Sequence, residues 1–389
     1  MAGLVIKPRS RIFHGHDWVY ATEVQKAFGN PQAGDVISLK DFRDRPLGTA
    51  IYNPESQIVA RRISRRKQEL DADFFDRRLR RALVLRETQA FPEPVYRLVW
   101  SEADGLPGVV IDRYGDHFVL QTLTLAMDRR RELIVAALIG IFGEITVIER
   151  NDSSIRKAEG LEPRTGLLAG AWNGPVTLTI NGLVQEIDLM EGQKTGIYLD
   201  QLDNYAAVGN LAKGRNVLDC FCNQGGFALH AARGGAASVL ALDISASAVE
   251  ATRANAARNG LAVEAQEANV FDFLKEAEIA ERKFDLIILD PPSFTKTRKS
   301  VTDALRGYKE IHLRALKLLT PDGLLSTYCC SHHVNEREFH DVIADASVDA
   351  KRTLRVVSSH TQRRDHPVIL TLPETAYLKG WTFQAVGGF

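Results

Sequence analysis

The stretch from residue 215 to residue 243 limits most strongly what this chain can fold into. It has the pattern of a strand, a glycine turn, a helix and a second strand, at 215–219, 225–226, 227–233 and 238–242. An acid, Asp243, follows the second strand. In a doubly wound parallel sheet such a unit holds a nucleotide-like ligand at the carboxyl ends of its strands. An acid about 20 residues after the turn can accept hydrogen bonds from the ribose hydroxyls of that ligand.

The turn itself departs from the G-x-G-x-x-G pattern of dinucleotide-binding folds. It reads DCFCNQGGF from Asp219 to Phe227, with an acid in place of the first glycine. A carboxylate there would repel a pyrophosphate and suits a ligand with a cationic end. S-adenosylmethionine carries a sulfonium and an ammonium and no phosphate, so the turn favours this methyl donor over NAD. An ordinary turn without a ligand is the alternative.

Charge is unevenly distributed along the chain, although the formal net charge of its 389 residues is zero. Residues 1–67 contain twelve Lys or Arg and six Asp or Glu, which gives this segment +6 and leaves −6 for the remainder. A basic module suggests a polyanionic partner, most often a nucleic acid. A solvated basic face is the alternative, and composition alone does not decide between them.

The cysteines occur in two close pairs, Cys220 with Cys222 and Cys329 with Cys330. The sequence has no Cys-x-x-Cys spacing of a zinc site, so we expect free thiols, no metal and a cytoplasmic protein. The N-terminal sequence lacks the apolar region of a signal peptide. The longest apolar run, 133–142, fits a packed helix and is too short to span a bilayer, so we expect no membrane partner.

Before residue 215 the pattern indicates smaller modules. Residues 1–67 alternate short apolar runs with turn residues, which predicts a small barrel or an open sheet. Residues 68–90 predict an amphipathic helix. Its predicted apolar face is Phe74, Phe75, Leu79, Ala82, Leu83 and Leu85, and its basic face is Arg77, Arg78, Arg80 and Arg81. These arginines either bind phosphates or form a solvated face. Asn181-Gly182 predicts a hairpin between strands 176–180 and 183–187.

From residue 215 onward strands and helices alternate, which predicts a parallel, doubly wound sheet. The predicted strands are 215–219, 238–242, 262–266, 284–289, 322–328 and 354–358. A last strand-like segment at 377–383 fits the antiparallel edge strand of a methyltransferase sheet better than it fits a dehydrogenase.

Candidate catalytic groups follow the fourth and fifth of these strands. Asp290 opens the sequence DPPSF, in which two prolines stiffen the loop and fix the direction of the carboxylate. This motif at this place is typical of methyltransferases that act on nucleic-acid bases. The fifth strand ends in YCCS, and a thiol there suits covalent catalysis, because addition of a thiolate to C6 of a cytosine makes C5 nucleophilic. The alternative for the DPPSF motif is a stiff loop in which the aspartate only caps the backbone. The alternative for the cysteine is a buried side chain with a structural role.

The sequence resembles the large-subunit ribosomal RNA cytosine-C5 methyltransferases that carry an N-terminal PUA domain. The matching stretches are HGHDWVYATEV, GDVISLKD, LGTAIYNPES, QIVARRI, SEADGLPGVVIDRYGD, EGQKTGIYLDQ, VLDCFCNQGGFALHAA, FDLIILDPPSF, YCCSHHV, and DHPVI together with PETAYLKG. They cover nearly the whole length. The resemblance implies an α/β protein with a PUA-like β domain at 1–67, a central α+β domain at 68–190 and a Rossmann-like class I methyltransferase domain at 191–389.

The same resemblance implies S-adenosyl-L-methionine as cofactor and one cytosine of large-subunit ribosomal RNA as target. Cys330 corresponds to the nucleophile, and Asp290 to the acid beside the base. The implied donor-site residues are Lys194, Gln201, Asp219, Asn223, Gly225, Asp243, Asn269, Asp272 and Asp290. A homodimer is left open.

The chain departs from the family pattern at some positions. Residues 202–205 read LDNY where the family usually has arginines, and Asn223-Gln224 stands for the usual Tyr-Thr. Two other activities stay open. One is methylation of a guanine or adenine nitrogen in RNA, which needs no thiol. The other is a non-catalytic role in RNA binding and assembly.

Overall fold

The computed structural model describes residues 2–192, 195–295 and 300–386. The chain divides into two compact units. The first comprises Met1–Leu178, Ile187–Leu199 and Arg364–Ala376, and the second comprises Thr179–Glu186, Asp200–Arg363 and Tyr377–Phe389. Among the described residues, no helix has both the length and the apolar character needed to cross a bilayer.

The first unit begins with a β domain. Its strands are β1 (Gly3–Ile6), β2 (Trp18–Val19), β3 (Val24–Phe28), β4 (Val36–Asp41), β5 (Pro46–Tyr52) and β6 (Ala60–Ser64). They form one sheet in the order β2-β6-β5-β4-β1-β3, antiparallel except for β1 beside β4. Alternation along β4 buries Ile37 and Leu39 in a core with Leu4 and Ile6. The predicted β module is confirmed.

The first unit continues with helices packed on a second sheet. The elements are α1 (Ala72–Thr88), β7 (Val95–Trp100), β8 (Val109–Tyr114), β9 (His117–Thr122), α2 (Leu125–Asp128), α3 (Arg131–Phe142), β10 (Thr146–Asn151) and β11 (Arg164–Ala169). The sheet order is β11-β10-β9-β8-β7. Helix α1 begins where the Asp71 carboxylate accepts the Phe74 N–H at 2.9 Å. Its predicted apolar face is wrong at one end, because Leu85 is 37% exposed and Arg86 is buried instead, paired with Asp104.

The second unit is built on a doubly wound sheet. The chain enters it through the hairpin of β12 (Val176–Ile180) and β13 (Leu183–Ile187). The following elements are α4 (Leu202–Gly209), β14 (Asn216–Cys220), α5 (Gly226–Arg233), β15 (Ser238–Asp243), α6 (Ala246–Arg258), β16 (Glu264–Glu267), α7 (Val270–Ile279), β17 (Phe284–Leu289), α8 (Val301–Leu318), β18 (Leu319–Cys329), α9 (Glu336–Asp349), β19 (Thr353–Thr361) and β20 (Lys379–Val386). The strand order is β16-β15-β14-β17-β18-β20-β19.

The sheet confirms the predicted parallel strands and corrects the position of the last one. β14 pairs in parallel with both β15 and β17, and β17 with β18. β20 runs antiparallel to β18, but it is inserted between β18 and β19, so β19 and not β20 forms the edge. The strand order reverses between β14 and β17, which places a ligand crevice at their carboxyl ends.

Candidate active site at the carboxyl edge of the parallel sheet

Asp219 lies near the end of β14 and is fully buried. One carboxylate oxygen, Oδ2, accepts the N–H of Ala228 in the first turn of α5 at 2.9 Å. The other, Oδ1, is buried without a hydrogen-bond partner among the described residues. Burial raises the pKa of Asp219 well above its usual range, and the charges of Asp290 and Asp243 raise it further. The structure thus holds an unsatisfied acceptor that suits a cation.

The turn after β14 needs glycine for two different reasons. Gly225 has a φ of +84°, and a Cβ there would lie 2.8 Å from Cγ2 of Thr252. At Gly226 a Cβ would lie 2.4 Å from Cζ of Tyr205. Asn223 also adopts a left-handed conformation, with a φ of +50° that asparagine tolerates better than most residues. The close packing of this turn against Thr252 and Tyr205 therefore requires glycine at both positions.

Asp243 connects the end of β15 to this turn. Its Oδ2 accepts the N–H of Asn223 at 2.9 Å, and its Oδ1 accepts the N–H of Ser245 at 2.9 Å. A carboxylate oxygen can accept two hydrogen bonds, so the same group can hold the turn in place and bind ribose hydroxyls.

Asp290 follows β17 and is oriented by a chain of amides. Nε2 of Gln201 donates to Oδ2 of Asp290 at 3.0 Å. Nδ2 of Asn204 donates in turn to Oε1 of Gln201 at 2.6 Å. Gln201 and Asn204 are both buried, so this part of the site is rigidly held.

Cys330 follows β18 directly and is half-buried. Because Leu289 of β17 pairs in parallel with Thr327 of β18, Asp290 and Cys330 emerge at the same edge of the sheet. A hydrogen bond joins the two loops, with Oγ of Ser293 2.9 Å from Oγ of Ser331. Ser331 is also 3.0 Å from the hydroxyl of Tyr308, whose pKa is raised by burial.

Comparison with known proteins assigns the chain to a family. A family model of S-adenosylmethionine-dependent methyltransferases matches residues 164–356, and a model of the PUA-like domain matches residues 7–65. The ribosomal RNA large subunit methyltransferase I of Tolumonas auensis is 39% identical over 380 residues, which cover 95% of this chain and 96% of that protein. The protein of the same name from Shewanella denitrificans is 42% identical over 373 residues, 94% of each chain. The chain belongs to this methyltransferase family.

The fold of the methyltransferase agrees with that of a solved structure. A methyltransferase crystallised in complex with SAH superposes with a TM-score of 0.86 at 23% identity, over 99% of this chain and 100% of the other. The α/β fold with an N-terminal PUA-like domain and an S-adenosylmethionine-dependent domain is confirmed, and so is S-adenosylmethionine as the cofactor.

The other predicted donor-site residues differ in their position relative to the carboxyl edge of the sheet. Asn269 is exposed and caps α7, with its Oδ1 accepting the N–H of Phe271 at 2.9 Å. The preceding residue, Ala268, donates its N–H to the Asp243 carbonyl at 2.9 Å, which brings Asn269 to the same edge of the sheet. Asp272 is exposed in the first turn of α7. The predicted contact of Lys194 lies outside the described residues.

A cation beside the cysteines, Lys379, was not predicted from the sequence. Lys379 is paired with Cys329 across β18 and β20, and its Nζ donates to the Ser331 carbonyl at 2.8 Å. Burial lowers the pKa of Lys379, and its interactions with the thiols of Cys329 and Cys330 oppose that shift. An ammonium so placed favours the thiolate form of a cysteine. The only available signal was the position of Lys379 within the matching stretch PETAYLKG.

Two histidines follow the cysteines, and both are exposed. The ring of His332 lies 5.5 Å from that of Tyr377, whose hydroxyl donates to Asp200 at 2.5 Å.

Within the described ranges there is no group of three or more His, Cys, Asp or Glu side chains that could hold a metal ion.

Proposed function

We propose that this methyltransferase methylates C5 of one cytosine in large-subunit ribosomal RNA, with Cys330 as the nucleophile. The observation that carries the proposal is the position of Cys330 and Asp290 at the ends of adjacent parallel strands, in loops joined by Ser293 and Ser331. Relatives that match over nearly the whole length are named ribosomal RNA large subunit methyltransferases. The net charge of +6 on residues 1–67 supports an RNA substrate, and we place the reaction in the cytoplasm.

The residues at the glycine turn fit the methyl donor. The unsatisfied Oδ1 of Asp219 would face the cationic methionine end, beside Asn223 and the backbone at Gly225. Asp243 would bind the ribose hydroxyls, with Asn269 or Asp272 near the adenine. Gln201 serves the site through its hydrogen bond to Asp290. When bound, S-adenosylmethionine supplies an electrophilic methyl group.

The chain's own residues prepare the cytosine. The target base must leave its stack to reach the site. The Cys330 thiolate, favoured by Lys379, forms a C–S bond to C6. Asp290, when it holds a proton, donates a hydrogen bond to N3 and so stabilises the negative charge that develops on N3 as the electron pair of the C5=C6 bond shifts into the ring. C5 is then nucleophilic. Once C5 carries the methyl group, a base takes the C5 proton, the electron pair of that C–H bond re-forms the C5=C6 double bond, and the C–S bond breaks to release the Cys330 thiolate.

The decisive experiment is mass mapping of ribosomal RNA from cells that lack this protein. We expect one 5-methylcytosine of the large-subunit RNA to be lost, and to return with the wild-type chain but not with Cys330→Ala. A lost methylguanine or methyladenine that both chains restore would replace the proposal with methylation of a ring nitrogen or amine. No change in methylation would favour the non-catalytic role.

A second experiment tests the covalent step. In the presence of S-adenosylmethionine, RNA in which 5-fluorocytosine replaces cytosine should trap the Cys330 adduct, because the methylated C5 then carries fluorine and has no proton to lose. The adduct should survive denaturing electrophoresis. Cys330→Ala should form no such adduct. Cys329→Ala is the matched control, because Cys329 is fully buried and its Sγ contacts the Tyr308 hydroxyl at 3.3 Å. An adduct that depends on Cys329 instead would reassign the nucleophile.

A further inference from the structure

The four arginines on the basic face of α1 fall into two classes. Arg77 pairs with Asp73 at 2.8 Å, and Arg80 pairs with Asp76 at 2.9 Å, both on exposed surface. Arg78 and Arg81 have no carboxylate within ion-pair distance among the residues that the structure describes. One helix thus carries two compensated and two uncompensated guanidinium groups.

Among the described residues, the groups that hold Arg78 in place are neutral. Its Nη2 donates to the carbonyl of Ile63 at the end of β6, at 2.9 Å. The guanidinium lies 5.3 Å from the centre of the Phe74 ring. It also lies against Gly105, where a Cβ would be 2.9 Å from Nη1. Burial, with the neighbouring Arg81 and Arg77, lowers the pKa of Arg78. An arginine titrates far above neutral pH, so Arg78 stays charged and is preorganised for an anion.

Arg78 and Arg81 line a cleft between α1 and the turn 101–105, which we call the arginine cleft. Two acids also line it, but each is already paired. Glu102 contacts Arg61 at 2.6 Å, and Asp104 contacts Arg86 at 2.5 Å. The acids therefore do not cancel the charges of Arg78 and Arg81, and the cleft keeps an excess of positive charge.

The basic surface continues beyond the cleft. Ile63, whose carbonyl binds Arg78, lies in β6, and the segment that follows this strand is exposed and basic. Its residues are Arg65, Arg66 and Lys67. Such a strip, with a fixed arginine pair at one end, matches the spaced negative charges of a nucleic-acid backbone better than a single small anion.

We propose that the arginine cleft binds a backbone phosphate of the RNA substrate. This inference rests on the proposed function. The planar guanidinium of Arg78 can offer two parallel N–H donors to one phosphate, and Arg81 adds a second charge from the next turn of α1. Contacts of this kind fix the register of the RNA without reading its sequence.

The test compares two double variants of the full-length chain that lose the same charge from the same helix. Arg78→Gln/Arg81→Gln should bind large-subunit ribosomal RNA fragments at least tenfold more weakly at moderate salt. The slope of log affinity against log salt should fall in magnitude by about 1.4 to 1.8, as expected for two lost phosphate contacts. Arg77→Gln/Arg80→Gln should change both quantities by much less. Thermal melting and S-adenosylmethionine binding report whether each variant is folded.

The outcomes separate this inference from the proposed function. If both pairs weaken RNA binding equally while wild type methylates the RNA, the cleft is not a phosphate site and the methylation proposal stands. If wild type neither binds nor methylates the RNA, both proposals fail. Arg81→Gln alone alters only an exposed side chain, so it keeps the test valid should the double variant unfold. Unchanged affinity and salt slope in that variant would count against the cleft.

Discussion

At the scale of single residues, Asp219, a proposed donor-site residue, lowers the stability of the folded chain near neutral pH. Its raised pKa means that the folded chain holds the proton at a pH where the unfolded chain, with a pKa of about 3.9, has released it. The stability that Asp219 contributes is therefore fully present below pH ~4 and is lost as pH rises towards the folded-state pKa. Each pH unit in that window costs about 1.4 kcal/mol. A bound cation would offset the cost.

We therefore expect Asp219→Asn to change how the melting temperature depends on pH. The variant cannot titrate at this position, so its melting temperature should rise relative to that of wild type as pH increases from about 4 towards the folded-state pKa of Asp219. Saturating S-adenosylmethionine should raise the melting temperature of wild type more than that of the variant. Scanning calorimetry with and without the donor measures both effects. If the melting temperatures of the two proteins changed with pH in parallel, the pKa of Asp219 would not be raised in the folded chain, and the prediction would be wrong.

Single residues of the site could be predicted from the sequence where the neighbouring sequence pattern alone places them. Asp219, Asp243 and Asp290 each close a strand that sequence pattern alone locates, so their shared edge follows from the parallel sheet. The supporting contacts could not be predicted in this way. Gln201 reaches Asp290 across 89 positions of sequence, and Lys379 reaches Ser331 across 48, and only the folded sheet brings them together.

At the scale of elements, the loop after β17 contacts the loop after β18. We expect the rate of catalysis to depend on this contact. The Ser293–Ser331 hydrogen bond holds the segment of Asp290 against that of Cys330. Ser331→Ala and Ser293→Ala should each lower kcat, and the loss in the double variant should be smaller than the sum of the two single losses. A coupling of about 0.5–1.5 kcal/mol, or roughly two- to tenfold in rate, is expected for one such bond.

A serine at the opposite end of the sheet provides the control for this cycle. Ser238 begins β15, is exposed, and hydrogen-bonds Asn216 at 2.8 Å. Ser238→Ala removes the same hydroxyl group and should leave kcat unchanged. Affinity for S-adenosylmethionine should be the same in all variants. Within the described part of the chain, the side-chain hydrogen bonds of the two loop serines go to each other, to Thr295 and to Tyr308, and not to the glycine turn. Strictly additive losses in kcat would show that the two loops act independently.

Elements differ in how far the sequence determines them. The hairpin of β12 and β13 has the predicted bounds, because Asn181 and Gly182 both adopt the positive φ that a tight hairpin turn requires, +49° and +72°. The place of β20 could not be derived. Its strand pattern is clear, but insertion between β18 and β19 depends on pairings with strands that precede it by tens of residues.

At the scale of the whole molecule, the proposed sites for the donor and for RNA lie in different parts of the chain. The proposed donor residues within the described ranges, from Gln201 to Asp290, belong to the second compact unit. The basic N-terminal domain and the arginine cleft of α1 belong to the first. Donor and RNA should therefore leave separate protection patterns in amide hydrogen exchange.

We expect saturating S-adenosylmethionine to slow exchange in residues 219–228 and 243–248 and to leave β4, β5 and β6 unchanged. A methylatable RNA fragment should slow exchange in residues 63–67 and 78–81, and this protection should weaken as salt rises, because it depends on phosphate contacts. Added S-adenosylmethionine should not substitute for RNA in protecting residues 63–67 and 78–81. Strong protection of β4 to β6 by the donor alone would contradict this division, since a change there requires energetic coupling between the donor site and the PUA-like domain.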